Sequence, residues 1–157
     1  MKIRLITVGA TDVKWVREGL ELYMSRLSHY VPFTLEEIPE LKNVSSLTRD
    51  QIKEKEGEGI LRRIKAGDEV ILLDERGREL RSVELASLLR DKLARGGRDL
   101  AFVIGGAYGF SDAVYARSDA MLSLSRMTFS HQMVRTIFAE QLYRAFTIIK
   151  GEPYHHE

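Results

Sequence analysis

The most informative segment of the chain is Leu100-Ala101-Phe102-Val103-Ile104-Gly105-Gly106-Ala107-Tyr108-Gly109-Phe110-Ser111-Asp112. Its first five residues are all apolar, which predicts a buried parallel strand. Two adjacent glycines follow, and without Cβ atoms they let another group approach the backbone. Ligands of open α/β sheets bind at this edge, beyond the carboxyl ends of the strands. The segment therefore predicts a site for a flat or phosphate-bearing small molecule, with a tight turn that binds nothing as the alternative.

Strand and helix patterns alternate along the whole chain. Strands are predicted at residues 2–8, 33–38, 70–73, 100–104 and 121–124. Helices are predicted at residues 14–27, 47–64, 83–94, 112–117 and 132–148, with Ser111 as the N-cap of the fourth and a turn at 74–78. This alternation predicts an α/β fold, a mostly parallel sheet with helices on both faces. The 157 residues show no linker and predict a single domain, 1–157.

Composition excludes several classes of site. The chain has no cysteine, which excludes disulfides and thiolate chemistry and predicts an intracellular protein. The four histidines have no metal-ligand spacing, so no metal site is predicted. No apolar run reaches 18 residues, so we expect no membrane span, and the N-terminus predicts a strand rather than a signal peptide. The net charge of +1 does not indicate a nucleic-acid binder, although a dimer can gather basic residues on one face.

Three predicted strand ends converge if their strands are neighbours in the sheet: residues 72–74, 104–106 and 124–130. The third mixes small hydroxyl residues with apolar ones and contains no carboxylate. Its backbone groups suit the edge of an adenine, and Leu73 and Met127 suit the two faces of the ring. An ordinary strand-to-helix loop, capped by Ser130, explains the same pattern. The glycine spacing does not fit a dinucleotide or P-loop motif.

The last predicted helix carries a broad apolar stripe, made of Val134, Phe138, Leu142, Ala145 and Ile149. Such a stripe forms either core or a subunit interface, and we expect a dimer built on this helix. Basic side chains on and around the helix are candidate phosphate contacts, with solvated charges as the alternative: Arg126, Arg135, Arg144 and Lys150. The tail after Pro153 contains Tyr154 and His155, which suit base stacking and proton transfer. A dispensable terminus is the alternative.

At this point the residues resemble a known family. The motifs that carry the resemblance are residues 124–131, Val134-Arg135, residues 139–145 and the terminal Pro153-Tyr154-His155-His156-Glu157, together with the start of the chain and Ile104-Gly105-Gly106. They are similar to the small SPOUT-class methyltransferases that modify N3 of a pseudouridine in bacterial 23S ribosomal RNA. The resemblance covers the whole chain.

The resemblance implies a trefoil knot in the C-terminal half, S-adenosylmethionine bound in the knot, a cytoplasmic homodimer and 23S rRNA within the ribosome as substrate. By motif, the cofactor contacts fall on Leu73, Gly105, Gly106, Ser125, Arg126, Met127, Thr128, Phe129 and Ser130. The resemblance implies that Arg126, Phe129 and Ser130 act through their backbone. Tyr154 and His155 are the implied catalytic residues, supplied by the partner subunit. Arg135, Arg144 and Lys150 are then the expected RNA contacts.

Two other functions remain open at this stage. A nucleotide-binding α/β module without catalysis needs the same glycine edge but no tail of this kind. A SPOUT methyltransferase that acts on another RNA, such as transfer RNA, is the second. Such enzymes commonly carry an additional RNA-binding domain, for which we expect no room within these 157 residues.

Overall fold

A computed structural model describes residues 1–156. Its centre is a five-stranded sheet in the order β2-β1-β4-β3-β5, and every pairing is parallel. The strands are β1 (Ile3–Val8), β2 (Phe33–Ile38), β3 (Glu69–Glu79), β4 (Leu100–Ile104) and β5 (Ala120–Ser123). Strands β1 and β4 are buried at every position. β4 is a continuous apolar run, as is typical of a central parallel strand, whereas β1 also buries Arg4, which pairs with Asp68 at 2.9 Å. The predicted α/β class is confirmed.

Helices cover both faces of the sheet. They are α1 (Lys14–Leu27), α2 (Arg49–Arg63), α3 (Ser82–Ala94), α4 (Asp112–Arg117) and α5 (Met133–Ile149). Alternate residues of each strand point to opposite faces, and the core is accordingly divided in two. Phe102 belongs to the cluster that buries Leu89 of α3 and Phe138 of α5. Its neighbour Val103 belongs to the second cluster, under α2 and α4.

Helix α2 begins two residues later than the sequence predicted. Thr48 is its N-cap, because Gln51 N donates to Thr48 Oγ1 at 3.1 Å and Thr48 N donates to Gln51 Oε1 at 2.9 Å. The two glycines within α2 are buried in close contacts. A Cβ at Gly57 would collide with the hydroxyl of Ser111, the N-cap of α4. Gly57 therefore brings α2 close to α4, and Gly59 brings it close to Ile38 of β2, which compensates for the cost of both glycines to the helix.

Strand β3 is longer than predicted. The expected turn at residues 74–78 lies within the observed strand as an irregularity, after which Arg78 pairs again with Leu122 of β5. A Cβ at Gly77 would lie 2.6 Å from the backbone nitrogen of Leu122, so only glycine fits there. The close contact locks the end of β3 against β5.

The apolar stripe of α5 lies against this chain's own sheet. Phe138, Leu142 and Ala145 are fully buried, and the Phe138 ring lies 4.7 Å from that of Phe102 between centroids. The prediction that these residues form a subunit interface is therefore wrong, because the sheet already covers them. Any interface on α5 must use its other faces.

Candidate functional site

A cleft of about 960 Å³ opens at the carboxyl edge of the sheet. It is lined by residues 73–76 of β3, by residues 104–110 after β4, and by residues 122–125 and 127–131 at and beyond the end of β5. Arg126 does not line it, and residues of α2, α4 and α5 complete the lining. The three segments from the sheet are the ones that the sequence predicted would converge. They meet because β3 lies between β4 and β5 in the sheet.

Apolar side chains form much of the cleft lining: Leu73, Ile104, Leu122, Leu124, Met127 and Val134. Leu73 and Met127, the residues expected to sandwich a ring, both belong to this set. Met127 is 77% exposed, far more than a thioether side chain in a core. A concave site that combines apolar side chains with polar groups is typical of small-molecule binding.

The loop after β5 is held in shape by its own hydroxyl groups. Ser123 Oγ donates to the carbonyl of Ser125 at 3.0 Å, and Ser125 Oγ accepts from Met127 N at 2.9 Å. Ser130 Oγ accepts from Met133 N at 3.0 Å in the turn before α5, but the N-cap of that helix is Gln132 rather than the predicted Ser130. The Arg126 guanidinium reaches outward to Glu79, at 2.9 Å. Since these hydroxyl groups and the Arg126 guanidinium are engaged within the chain, the loop offers the cleft its backbone and the apolar side chains of Leu124 and Met127.

Gly105 and Gly106 are closely packed against other side chains of this chain. A Cβ at Gly105 would lie 3.1 Å from the ring of Phe110, and a Cβ at Gly106 would lie 2.5 Å from a carboxylate oxygen of Glu56. The sequence predicted that the missing Cβ atoms admit a ligand. That explanation is wrong, because Phe110 and Glu56 of this chain occupy the space toward which the two Cβ atoms would point. The two glycines nevertheless line the cleft.

Glu56 was missed by sequence reasoning. It lies on α2 behind Gly106, and its Oε1 is buried without a hydrogen-bond partner among residues 1–156. Burial raises the pKa of this carboxyl, and the nearby Glu40 raises it further. No local sequence signal marks this position, because charged residues alternate along most of α2.

A second group at the cleft joins β3 to α4. The Tyr115 hydroxyl donates to Asp74 Oδ2, and the Arg76 guanidinium lies 4.7 Å from the centre of the Tyr115 ring. Burial, followed by the hydrogen bond to Asp74, raises the pKa of Tyr115. The sequence placed Asp74 at the strand end but gave no indication of Tyr115. Together the three residues fix α4 beside the end of β3.

Arg135 is not available to RNA. Its side chain is fully buried, with NH2 donating to Val8 O at 2.9 Å and NH1 donating to Gly9 O at 3.0 Å and to Thr11 Oγ1 at 2.7 Å. Burial lowers its pKa. The predicted phosphate contact is wrong, because this guanidinium ties the end of β1 to the start of α5.

The C-terminal tail packs on α5 away from the cleft. Tyr154 contacts the Tyr143 ring at 4.8 Å, and the Arg144 guanidinium lies 4.8 Å from the centre of the Tyr154 ring. Arg144 NH1 lies 3.1 Å from His155 Nδ1, and its NH2 donates to Glu140 at 3.1 Å. Desolvation is the largest cause that raises the pKa of Tyr154 to about 12.

The predicted catalytic residues and the last predicted RNA contact lie outside the cleft. Tyr154 and His155 do not line their own chain's cleft. Lys150 is exposed just after α5, so its role as an RNA contact stays a prediction. Glu157, the last residue of the terminal motif, lies outside the described residues.

Comparison with known proteins decides the family. Residues 1–155 match the family described as predicted SPOUT methyltransferase. The chain belongs to the SPOUT methyltransferase family. SPOUT enzymes use S-adenosylmethionine as methyl donor, and the family fold implies a C-terminal trefoil knot.

Individual relatives are similar over their whole length. The chain is 52% identical over 157 residues to a protein of Parabacteroides distasonis and 53% identical over 157 residues to one of Flavobacterium psychrophilum, with 100% of each chain covered. It is 50% identical over 156 residues to a protein of Christiangramia forsetii, with 99% of each covered. All three relatives bear the name ribosomal RNA large subunit methyltransferase H.

Neither a cluster of metal ligands nor a membrane-spanning helix occurs among the described residues. Across residues 1–156, no group of three or more His, Cys, Asp or Glu side chains is placed to hold a metal ion. In the same range, no helix combines the length and apolar character needed to cross a bilayer.

Proposed function

We propose that this chain methylates N3 of a pseudouridine in 23S ribosomal RNA, within the assembled ribosome, as a cytoplasmic homodimer. The observation that carries the proposal is the cleft of a SPOUT methyltransferase in a chain about half identical, end to end, to proteins named for methylating large-subunit rRNA. The ribosome and the dimer follow from the sequence resemblance.

The cleft fits S-adenosylmethionine. Its volume of about 960 Å³ lies within the range of small-molecule sites. Leu73 and Met127 offer apolar surfaces for an adenine ring, and the backbone of residues 125–130 offers donors and acceptors for its edge. We propose Gly105 and Gly106 as the boundary on the β4 side.

The bound cofactor would supply an electrophilic methyl group, so no protein nucleophile is needed. The protein's task is to hold the base in line with that methyl group, an effect worth several kcal/mol. N3 of the pseudouridine must also lose its proton. His155 is the proposed acceptor, and Tyr154 is proposed to orient the base.

The state of His155 in the free chain bears on that role. A guanidinium only donates hydrogen bonds, so the 3.1 Å contact from Arg144 makes Nδ1 the acceptor and leaves the ring proton on Nε2. For Nδ1 to contact the substrate instead, this contact with Arg144 has to be given up. We propose that insertion of the tail into the partner's cleft breaks this contact.

An exposed apolar surface supports the dimer. Trp15 and Leu22 lie two turns apart on the same face of α1, and they are 59% and 47% exposed. Met133, at the start of α5, is 40% exposed. Helix α1 packs on α5, which also carries the tail. We propose this α1–α5 surface as the subunit interface, since the stripe of α5 is already buried.

The function is tested with purified protein and methyl-labelled S-adenosylmethionine. Whole ribosomes, free large subunits and naked 23S rRNA are compared as substrates. We expect label in 23S rRNA, at a single pseudouridine, with whole ribosomes as the best substrate. Cofactor binding without transfer to any RNA would indicate a non-catalytic module, and transfer to transfer RNA alone would indicate a different SPOUT enzyme.

A further inference from the structure

Tyr108 is a large aromatic side chain held in the open at the mouth of the cleft. It is 45% exposed and stands in the turn between Gly106 and Gly109, which is closed by a hydrogen bond from Gly109 N to Gly106 O at 3.2 Å. Gly109 has φ +86°, a conformation that favours glycine. Nothing in residues 1–156 makes a ring-to-ring contact with Tyr108 or a hydrogen bond to its hydroxyl. The turn therefore presents an aromatic ring that the fold itself does not use.

A cation supports this ring. The Arg49 guanidinium, in the first turn of α2, lies 5.1 Å from the centre of the Tyr108 ring, within the range of a cation–π contact. Arg49 makes no ion pair with any carboxylate in residues 1–156, so its charge is not neutralised there. A positive charge beneath a partly exposed tyrosine strengthens the ring as a surface for an electron-rich partner.

The surroundings of Tyr108 carry charges of both signs. Lys53 lies one turn along α2 from Arg49, and both line the cleft, as Tyr108 does. Asp50 lies in the same turn and pairs with Lys53 at 3.4 Å, and Asp112 is exposed nearby, so the rim is not uniformly basic. Recognition here must therefore depend on stacking on the ring more than on net charge.

We propose that Tyr108, supported by Arg49, is a stacking platform for an unpaired base of the RNA substrate at the mouth of the cleft. Proteins bind unpaired nucleotides by stacking bases on aromatic side chains beside cationic groups. The inference rests on the proposed function, and it adds a substrate contact supplied by the same subunit that supplies the cleft. The cofactor would lie against the apolar residues of the cleft, Leu73 and Met127 among them, and the platform would face the RNA.

The test compares Tyr108→Ala with Tyr108→Phe, which keeps the ring and serves as the matched control. Arg49→Gln removes only the supporting charge. Each variant is checked for folding by circular dichroism and for S-adenosylmethionine affinity by calorimetry, and KM for ribosomes and kcat are then measured separately. We expect Tyr108→Ala to raise KM for ribosomes roughly tenfold, within the range that alanine substitution of a stacking residue gives. The KM of Tyr108→Phe should stay within about twofold of wild type, and the KM of Arg49→Gln should lie between those of the two tyrosine variants. The affinity for S-adenosylmethionine should be unchanged in all three variants.

Three outcomes would overturn the platform while leaving the proposed function intact. One is an unchanged KM in folded Tyr108→Ala. Another is an equal loss of cofactor affinity, which would assign the ring to the adenine. The third is dissociation of the variant into monomers during sedimentation, which would assign the ring to the partner subunit. If Tyr108→Ala fails to fold, Arg49→Gln decides by the same KM criterion. Absence of ribosomal methylation by the wild-type chain would remove both the proposed function and the platform.

Discussion

The carboxylate of Glu56 fills the space into which a Cβ at Gly106 would project. Its two oxygens lie 2.5 and 2.6 Å from that Cβ position, much closer than side chains approach one another. The Glu56 side chain thereby joins helix α2 to the loop that follows β4. The contact links a helix on one face of the sheet to the cleft, and it gives Gly106 a packing role within the chain that is separate from any ligand.

A double-mutant cycle tests this contact. Gly106→Ala should destabilise the protein and weaken S-adenosylmethionine binding, because the new methyl group displaces either Glu56 or the loop. Combining it with Glu56→Ala should restore part of both losses, with a coupling free energy of about 0.5–3 kcal/mol. Denaturant unfolding and calorimetry measure the two quantities. Gly67→Ala is the control, since a Cβ there meets nothing within 4 Å.

The bulkier Gly106→Val should lower cofactor affinity about tenfold, or roughly 1.4 kcal/mol, in a chain that still folds. A folded Gly106→Val protein with wild-type affinity would contradict the assignment of Gly106 to the cofactor site.

The pH dependence of stability should reveal Glu56. Because burial raises its pKa in the folded state, the native protein holds this proton more tightly than the unfolded chain. The protonated Glu56 therefore contributes to the free energy of unfolding. This contribution is fully present below the pKa that Glu56 has in the unfolded chain, and it is lost as the pH rises through its pKa in the folded protein. Glu56→Gln should remove that loss and be more stable than wild type near neutral pH, as measured by urea unfolding across pH 4–8.

The matched control for this measurement is Glu58→Gln, an exposed position on the same helix. It should change stability by less than about 0.5 kcal/mol. If Glu56→Gln and Glu58→Gln give the same pH profile as wild type, the Glu56 carboxyl is not strained by its burial.

Arg135 should matter to folding rather than to RNA affinity. Arg135→Met leaves the buried carbonyls of Val8 and Gly9 without this donor and removes one of the two cations beside Glu37, so we expect a loss of about 3 kcal/mol in the free energy of unfolding. Arg126→Ala, at a side chain that is 90% exposed, should leave the free energy of unfolding nearly unchanged. A stable Arg135→Met protein with weakened ribosome binding would restore the original phosphate-contact prediction.

Deletion of residues 154–157 tests the tail. The helix end remains closed without it, because Gly151 N donates to Ile148 O and Glu152 N donates to Thr147 O, so a folded dimer is expected. Methyl transfer in a single-turnover assay on ribosomes should collapse. Activity within about threefold of wild type, less than 1 kcal/mol of transition-state stabilisation, would make the tail dispensable.

Mixed dimers separate a tail that acts in the partner's cleft from one that acts in its own. The deleted chain keeps an intact cleft, and Gly106→Val keeps an intact tail. Mixing the two inactive proteins under conditions of subunit exchange should recover part of the activity. No recovery in mixtures shown to contain heterodimers would argue against a shared site.

The dimer itself is tested by sedimentation. The wild-type chain should sediment at twice its 18.0 kDa mass at micromolar concentration. Trp15→Glu places a charge on the proposed α1–α5 surface and should shift the protein toward monomer. Leu93→Glu, at an exposed apolar residue of α3, is the control and should remain dimeric.

Much of the fold and the site's location followed from local sequence. Apolar runs predicted β1 and β4, and Ser111 was correctly placed as an N-cap, where its Oγ accepts from Val114 N at 3.3 Å. The order of strands and helices then determined that strand ends would meet at one edge. These features depend on residues close together in the chain, which is why the sequence alone indicated them.

The tertiary structure decided which charged and aromatic side chains are free to act. Sequence spacing treated Arg135 and Arg144 alike, yet Arg135 is buried on the carbonyl of Val8, 127 positions away, while Arg144 holds the tail. Likewise, only the fold brought Glu56 against Gly106 and Arg49 beneath Tyr108. Periodicity and capping are set by neighbours along the chain, whereas the burial and pairing of a charge are set by groups that meet only after the chain has folded.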